Sequence, residues 1–264
     1  MQIKEYFTVI KDDWFLFKKR TAWKVLAENE IKQKYRRTFL GPNWMTLTAI
    51  LQIIAIGPLY ASLFGRSIDE YILYISIGII TWNFIVSTTT EYATLIIQSE
   101  STIMHGDFDI FTFSIKTIYK NVLIFAHALP VIIFVTLYYN PGIQSFIFMM
   151  FGLCLVSMHL FVIGIITSIL STRYRDIPII IQNIMMLLFF LTPIIWEARS
   201  LGGSDSMFIK VNAFFHMVEL IRYPLINGSI PWLSVKYTVI FIMVEIPIVI
   251  LIMKNCRLKI ANWL

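Results

Sequence analysis

Six long apolar runs, at residues 44–64, 71–93, 117–139, 144–170, 179–196 and 234–253, limit what this chain can fold into more than any other feature. Each is close to the ~20 residues with which a helix crosses ~30 Å of hydrocarbon. A backbone in lipid has no water to bond to, so runs of this length read as spanning helices. Composition agrees: the chain is 58% hydrophobic and 14% charged, with mean hydropathy +0.73, whereas soluble domains run at roughly 45–50% apolar and about 25% charged. The expected fold is an all-α membrane protein, with a cytoplasmic segment at 1–43 and a six-helix transmembrane domain at 44–264.

An even number of spans puts both termini on one side, and the cations say which. Arg66, Arg199, Lys210, Arg222 and Lys236 would lie on one face of the membrane and the other 17 of the 22 Lys and Arg on the opposite face. The positive-inside rule then places both ends in the cytoplasm. It also accounts for the net charge of +6 without a nucleic-acid partner. No cleavable signal peptide is expected, because ten cations and no continuous apolar core precede Trp44. Cys154 and Cys256 are too few for a disulfide framework and lack metal spacing.

The segment before the first span reads as membrane-surface structure. Tyr6, Phe7, Trp14, Phe15, Phe17 and Trp23 alternate with Lys18, Lys19 and Arg20 through residues 1–26, as suits a stretch resting on lipid headgroups. Next, Ala27, Ile31, Tyr35 and Phe39 recur at every fourth position. In a helix they form one apolar stripe, with Lys32, Lys34, Arg36 and Arg37 on other faces, and Gly41-Pro42 ends it. On the opposite side of the bilayer, residues 197–233 hold two pieces too short to span. One covers 207–215 and runs on through Val218, Leu220 and Ile221; the other is 223–232, broken by Pro224, Gly228 and Pro231. They read as interfacial or re-entrant helices that form an outer gate.

Ionisable groups inside spans are costly and mark function or buried pairing. Glu245, His127, His159 and Glu91 qualify. A proton relay is one reading; the favoured one is hydrogen bonding between helices or into a polar lumen, with Glu91 at the interface, because no broken helices or repeated halves accompany them. Nothing resembles an enzyme: there is no HExxH helix, no paired-cysteine zinc spacing and no GxxxxGK[ST] phosphate loop. Nucleotide energy, if used, must be bound by another polypeptide. The inner connections at 99–110 and 172–178 are where such a partner would push, and Asp176 is placed to cap the helix opened by Ile177-Pro178.

Four motifs in order, KYRRTFLGPNW before the first span, RYRDI between the fourth and fifth, TPIIW closing the fifth and NAFFHMVELIRYPLING beyond it, resemble the permease subunits of type-two ABC transporters. Within that class they are most similar to the branch exporting lipid-linked polysaccharides such as O-antigen, capsule or teichoic acid. The likeness covers essentially the whole chain and departs at Ala213, where the family commonly has proline. It implies a bacterial inner-membrane, multi-pass protein that pairs with a second copy of itself and with two ATPase subunits, which bind ATP and Mg; the chain itself holds no cofactor. Lys32, Lys34, Arg36 and Arg37 would meet the pyrophosphate of an undecaprenyl-diphosphate-linked polysaccharide where it enters. Ser99, Glu100, Ser101, Thr102 and Ile103, and Arg173, Tyr174, Arg175, Asp176 and Ile177, would couple to the ATPases. Thr192, Pro193, Trp196, Asn212, Glu219 and Arg222 would line or gate the outer mouth, with Tyr60, Trp82, Phe84, Phe189 and Phe190 offering surfaces for sugars. The alternatives are an ABC exporter of small hydrophobic compounds and a membrane-embedded polyprenyl-glycan transferase using Glu100, Asp107 and Asp109.

Overall fold

A computed structural model describes residues 22–41, 43–104, 110–139, 141–198 and 206–263, with the side chains of 45, 104, 257–259, 261 and 262 left aside. The expectations for residues 1–21, Pro42, Asp107, Asp109, Arg199 and the side chains of Arg257 and Lys259 lie outside what it describes. Among the described residues every long regular element is a helix. In chain order these are α1 (Ala22–Lys34), α2 (Asn43–Leu63), α3 (Ile68–Gln98), α4 (Glu100–Met104), α5 (Ile110–Leu137), α6 (Ile143–Arg173), α7 (Ile177–Leu191), α8 (Met207–Val211), α9 (Ala213–Asn227) and α10 (Trp232–Trp263).

Five of these, α2, α3, α5, α6 and α10, are long and apolar enough to cross a membrane. The run expected as a fifth span over 179–196 is instead the 15-residue helix α7. At 1.5 Å per residue that is ~22 Å, short of the hydrocarbon thickness. The helix stops because Thr192 precedes Pro193, which disfavours the helical region; Thr192 is extended, at φ −94° and ψ 137°. Residues 192–196 therefore form an irregular segment.

Helix α3 is the hub. It packs against α2, α5, α6, α7 and α9, and Ile75, Ile77, Ile79, Ile80 and Ile85 sit in the main apolar core with Ile132, Val156, Leu160, Val218 and Ile221. Helix α9 is wedged among α3, α6 and α10, with Phe215, Met217, Val218, Leu220, Ile221 and Leu225 all buried. Its approach to α6 needs a glycine: a Cβ on Gly152 would lie 2.0 Å from the Leu220 carbonyl oxygen. Pro224 was expected to interrupt this region, yet it lies inside α9, which runs to Asn227 and ends at Gly228 with φ 69°.

Helix α1 differs from the expected amphipathic segment. It begins at Ala22 and ends at Lys34, ahead of Gly41-Pro42. Arg37 adopts a left-handed φ of 69° and the Thr38 hydroxyl donates to the Tyr35 carbonyl at 2.8 Å, so residues 35–38 turn away. Ala27 and Ile31 are buried as the stripe requires, whereas Phe39 is 99% exposed. The helix docks on α5, where the Trp23 and Tyr119 rings meet edge to face at 4.8 Å.

Candidate functional site

The irregular segment after α7 is held by side chains from α3 and α9. Arg222, only 2% exposed, donates from Nε to Glu219 Oε1 at 2.9 Å and from Nη1 to the Pro193 carbonyl at 2.9 Å. Its guanidinium lies 3.9 Å from the Tyr74 ring centroid. The Tyr74 hydroxyl donates to the carbonyls of Trp196 at 2.9 Å and Pro193 at 3.2 Å, and the Tyr71 hydroxyl donates to the Ile195 carbonyl at 2.6 Å. Asn212 caps α9 by accepting from the Phe215 amide at 3.1 Å and donates to Thr192 Oγ1 at 3.2 Å. That cap orients the helix start, so Ala213 takes the first-turn position without a proline to fix it.

This is how a non-helical stretch survives among packed helices: the carbonyls of Phe190, Thr192, Pro193, Ile195 and Trp196 all meet donors. Thr192, Pro193, Trp196, Asn212, Glu219 and Arg222, all anticipated as a group, come together here. Tyr71 and Tyr74 were missed. Their signal was two tyrosines one turn apart on a span, whose hydroxyls need partners once buried. The cluster can fix or release a backbone segment.

Below it, between α2, α3 and α7, lies a groove of about 610 Å³. Trp82, Val86, Thr90 and Thr94 recur at every fourth residue along α3 and form one wall with Asn83; Gln52 comes from α2, and Gln182, Met185, Met186, Phe189 and Phe190 from α7. Asn83 Nδ2 donates to Gln52 Oε1 at 3.2 Å, and Trp82 and Phe189 pack at 6.1 Å. Three of the aromatics expected to offer sugar surfaces, Trp82, Phe189 and Phe190, therefore share this groove. Phe84 does not: it is buried against Phe125 at 5.4 Å. Tyr60 packs on Phe64 at 5.9 Å and the main core. Gln52, Asn83, Thr90, Thr94 and Gln182 escaped notice because attention to polar residues in the spans stopped at ionisable ones.

At the opposite end, α4 and the turn before α7 converge on the end of α10. Helix α4 carries exposed Glu100 and Ser101 with Thr102 half-buried, and Ser99 is buried behind them. Ile103 packs on a cluster of Ile96, Ile165, Ile169 and Ile260 that also takes in Trp263. Arg173 lies over the rings of Tyr174 and Trp263 at 5.4 and 5.3 Å, and Arg175 donates to the Trp263 carbonyl at 3.2 Å. Arg173, Tyr174, Arg175 and Asp176 are exposed, and Ile177 opens α7 half-buried. Asp176 stands at the N-cap position, but its side chain makes no capping bond, because its helical backbone (φ −84°, ψ −20°) does not aim the carboxylate at the first-turn amides. Its carboxylate instead belongs to the exposed turn.

Lys32, Lys34, Arg36 and Arg37 are all exposed on α1 and the turn after it. One of the two acids in the same helix does something unforeseen. Glu30 bridges Lys116 and Lys120 of α5, the latter at 2.7 Å; Lys120 also pairs with Glu91 of α3, and Asn121 donates to Glu91 at 2.9 Å. Two carboxylates face two ammonium groups, so the partly buried cluster is electrically balanced. Burial alone would raise the Glu30 carboxyl, but the two lysines outweigh it and hold the group below its ordinary range. Elsewhere His159 Nε2 and Glu245 Oε1 share a hydrogen bond at 2.9 Å that joins α6 to α10. His127 instead faces outward, and its Nδ1 bonds the Leu123 carbonyl of its own helix at 2.7 Å. Pairing between helices, one of the two arrangements expected of these groups, is made by His159 and Glu245, while His127 bonds within its own helix.

Comparison with known proteins supplies the remaining evidence. Two O-antigen export system permease proteins RfbA from Klebsiella pneumoniae are 22% identical to the chain. One aligns over 219 residues (81% of this chain, 84% of the relative) and the other over 225 residues (83% and 86%). A protein of the same name from Myxococcus xanthus is 22% identical over 183 residues, 69% of this chain and 70% of its own. The family model described as ABC-2 type transporter matches residues 21–226, from α1 through nearly all of α9. The chain is thus a multi-pass membrane protein of the ABC-2 type transporter family.

Proposed function

We propose that this chain is the membrane subunit of an ATP-driven exporter of a lipid-linked polysaccharide, built from two copies of the chain and two separate ATP-binding subunits. The observation that carries the reading is the groove walled by Gln52, Trp82, Asn83, Thr90, Gln182 and Phe190, in a chain whose relatives are named as O-antigen export permeases. Amides and hydroxyls exchange hydrogen bonds with sugar hydroxyls, and aromatic faces cover the apolar faces of sugar rings. A second copy set against the α2–α7 side would turn this open groove into the wall of a passage. A polymer is too large for a pocket of about 300–1,000 Å³, so threading through a continuous passage is the workable mechanism.

In this reading α7, lengthened by the clamped segment 192–196, completes a sixth crossing, and α9 is a re-entrant helix that closes the outer mouth through Arg222. Both ends lie in the cytoplasm, where Lys32, Lys34, Arg36 and Arg37 meet the diphosphate of an undecaprenyl carrier, Arg in bidentate fashion and Lys as a point charge. The ATPases dock on α4 and the Arg173–Asp176 turn. Both connections bear on the cluster around Ile169 and Ile260, so closure of the ATPases would be felt by α3, α6 and α10 together. Deletion tests the reading: lipid-linked glycan should accumulate in the cytoplasmic leaflet, and affinity purification of the chain should bring an ATPase with it. Unchanged glycan and the absence of an ATPase partner would overturn it.

A further inference from the structure

The chemistry of the groove points to the charge of what it passes. Among the described residues that line it, none is Asp, Glu, Lys or Arg. The stripe from Trp82 to Thr94 extends over twelve residues, or ~18 Å of helix. The charges nearest that stripe are turned elsewhere: Glu91 points to Lys120 and Asn121 on α5, while Glu219 and Arg222 neutralise one another in the outer clamp. At one end of the groove Pro178 follows the exposed Arg173–Asp176 turn, which brings charge to that mouth.

The hydrogen-bonding groups of the wall are neutral and of both kinds. The Thr90 hydroxyl spends its proton on the carbonyls of Val86 and Ser87, at 2.8 and 3.2 Å, and the Thr94 hydroxyl spends its own on the Glu91 carbonyl at 3.2 Å. Both threonines therefore present lone pairs. One Asn83 amide proton is committed to Gln52. Threonine lone pairs beside the amide N–H groups of Gln52 and Gln182 suit a ligand whose hydroxyls both donate and accept. Phosphodiester or carboxylate groups carry acceptors only, and in a passage bounded by lipid and aromatic rings they would lose hydration with no cation to replace it.

We infer that the groove is selective for an uncharged, hydroxyl-rich glycan and disfavours polyanionic polymers of the phosphodiester or uronate kind. This rests on the export reading above and narrows its substrate class. The test uses the full chain in lipid nanodiscs, titrated with a mannose oligosaccharide and a glycerol-phosphate oligomer of equal length. The change in tryptophan fluorescence is read in wild type and in Trp82→Phe, so that the difference reports the groove.

The neutral oligomer should give a Trp82-dependent signal at a concentration at least tenfold below that of the polyanion. Gln182→Lys, which adds a cation to the wall, should strengthen polyanion binding tenfold or more and make it fall with salt. Polyanion binding to wild type as tight as the neutral oligomer, or no Trp82-dependent signal from either, would overturn the selectivity. The deletion experiment separates the two levels: glycan accumulation together with polyanion binding leaves export standing and removes only the charge preference.

Discussion

Gly152→Ala is the smallest substitution with the largest expected consequence. The added Cβ would sit 2.0 Å from the Leu220 carbonyl oxygen and 2.6 Å from its carbon. A carbon and a carbonyl oxygen approach no closer than about 3.3 Å, so α6 and α9 must separate locally by roughly 1.3 Å. The obstacle is backbone, which cannot rotate aside as a side chain would. Overpacking of this kind costs about 1–3 kcal/mol, and occasionally more.

The displacement also reaches the clamp, because Leu220 is two residues from Arg222. Moving α9 by that amount stretches the bond from Arg222 Nη1 to the Pro193 carbonyl, now 2.9 Å, beyond the ~3.5 Å at which it ceases to be a hydrogen bond. We therefore expect a lower detergent-solubilised Tm and faster reaction of a cysteine placed at Ile195 with a water-soluble maleimide. Gly142→Ala is the matched control, since a Cβ there meets nothing within 4 Å. If Gly152→Ala melts with the wild type and leaves the Ile195 position protected, the claim that glycine sets this helix spacing is refuted.

Further outcomes follow from the same geometry. Arg222→Met should destabilise by about 3–5 kcal/mol by stranding Glu219, and adding Glu219→Gln should recover part of the loss; a double mutant no more stable than the single would count against the ion pair, as read by Tm. Because the Glu30 carboxyl is held below its ordinary value of 4.5, its stabilisation of α1 docking is fully present above that pH and is lost as pH falls through its folded-state value. Crosslinking between α1 and α5 should therefore weaken below pH 4.5 in wild type, and Glu30→Gln should abolish that acid step. Charge reversal at both Arg173 and Arg175, or Asp176→Ala, should leave the protein inserted and folded but separate ATP hydrolysis from export; normal export from the double reversal would defeat the coupling role.

Much of the architecture was legible in the chain itself. Apolar runs long enough to span lipid and punctuation by Pro and Gly are local patterns, and the bilayer reads them one helix at a time. That is why α2, α3, α5, α6 and α10 fall where hydropathy puts them; the grouping of Thr192, Asn212 and Arg222 came from the family resemblance and from no local pattern. Where local rules competed, the sequence misled. The apolar run over 179–196 looked like one unbroken helix, although the Thr192-Pro193 step ends it at Leu191. Pro224 looked like a break but is accommodated inside α9, held by neighbours on three sides.

Partnership belonged to the tertiary structure alone. Glu30 meets Lys116 across 86 residues, Tyr71 meets the Ile195 carbonyl across 124, and His159 meets Glu245 across 86; no periodicity within a helix encodes which distant helix it will face. In lipid the hydrophobic effect drives helices into the membrane yet does little to choose their neighbours. That choice falls to close backbone approach at Gly152 and to polar groups that must find a partner once water is gone.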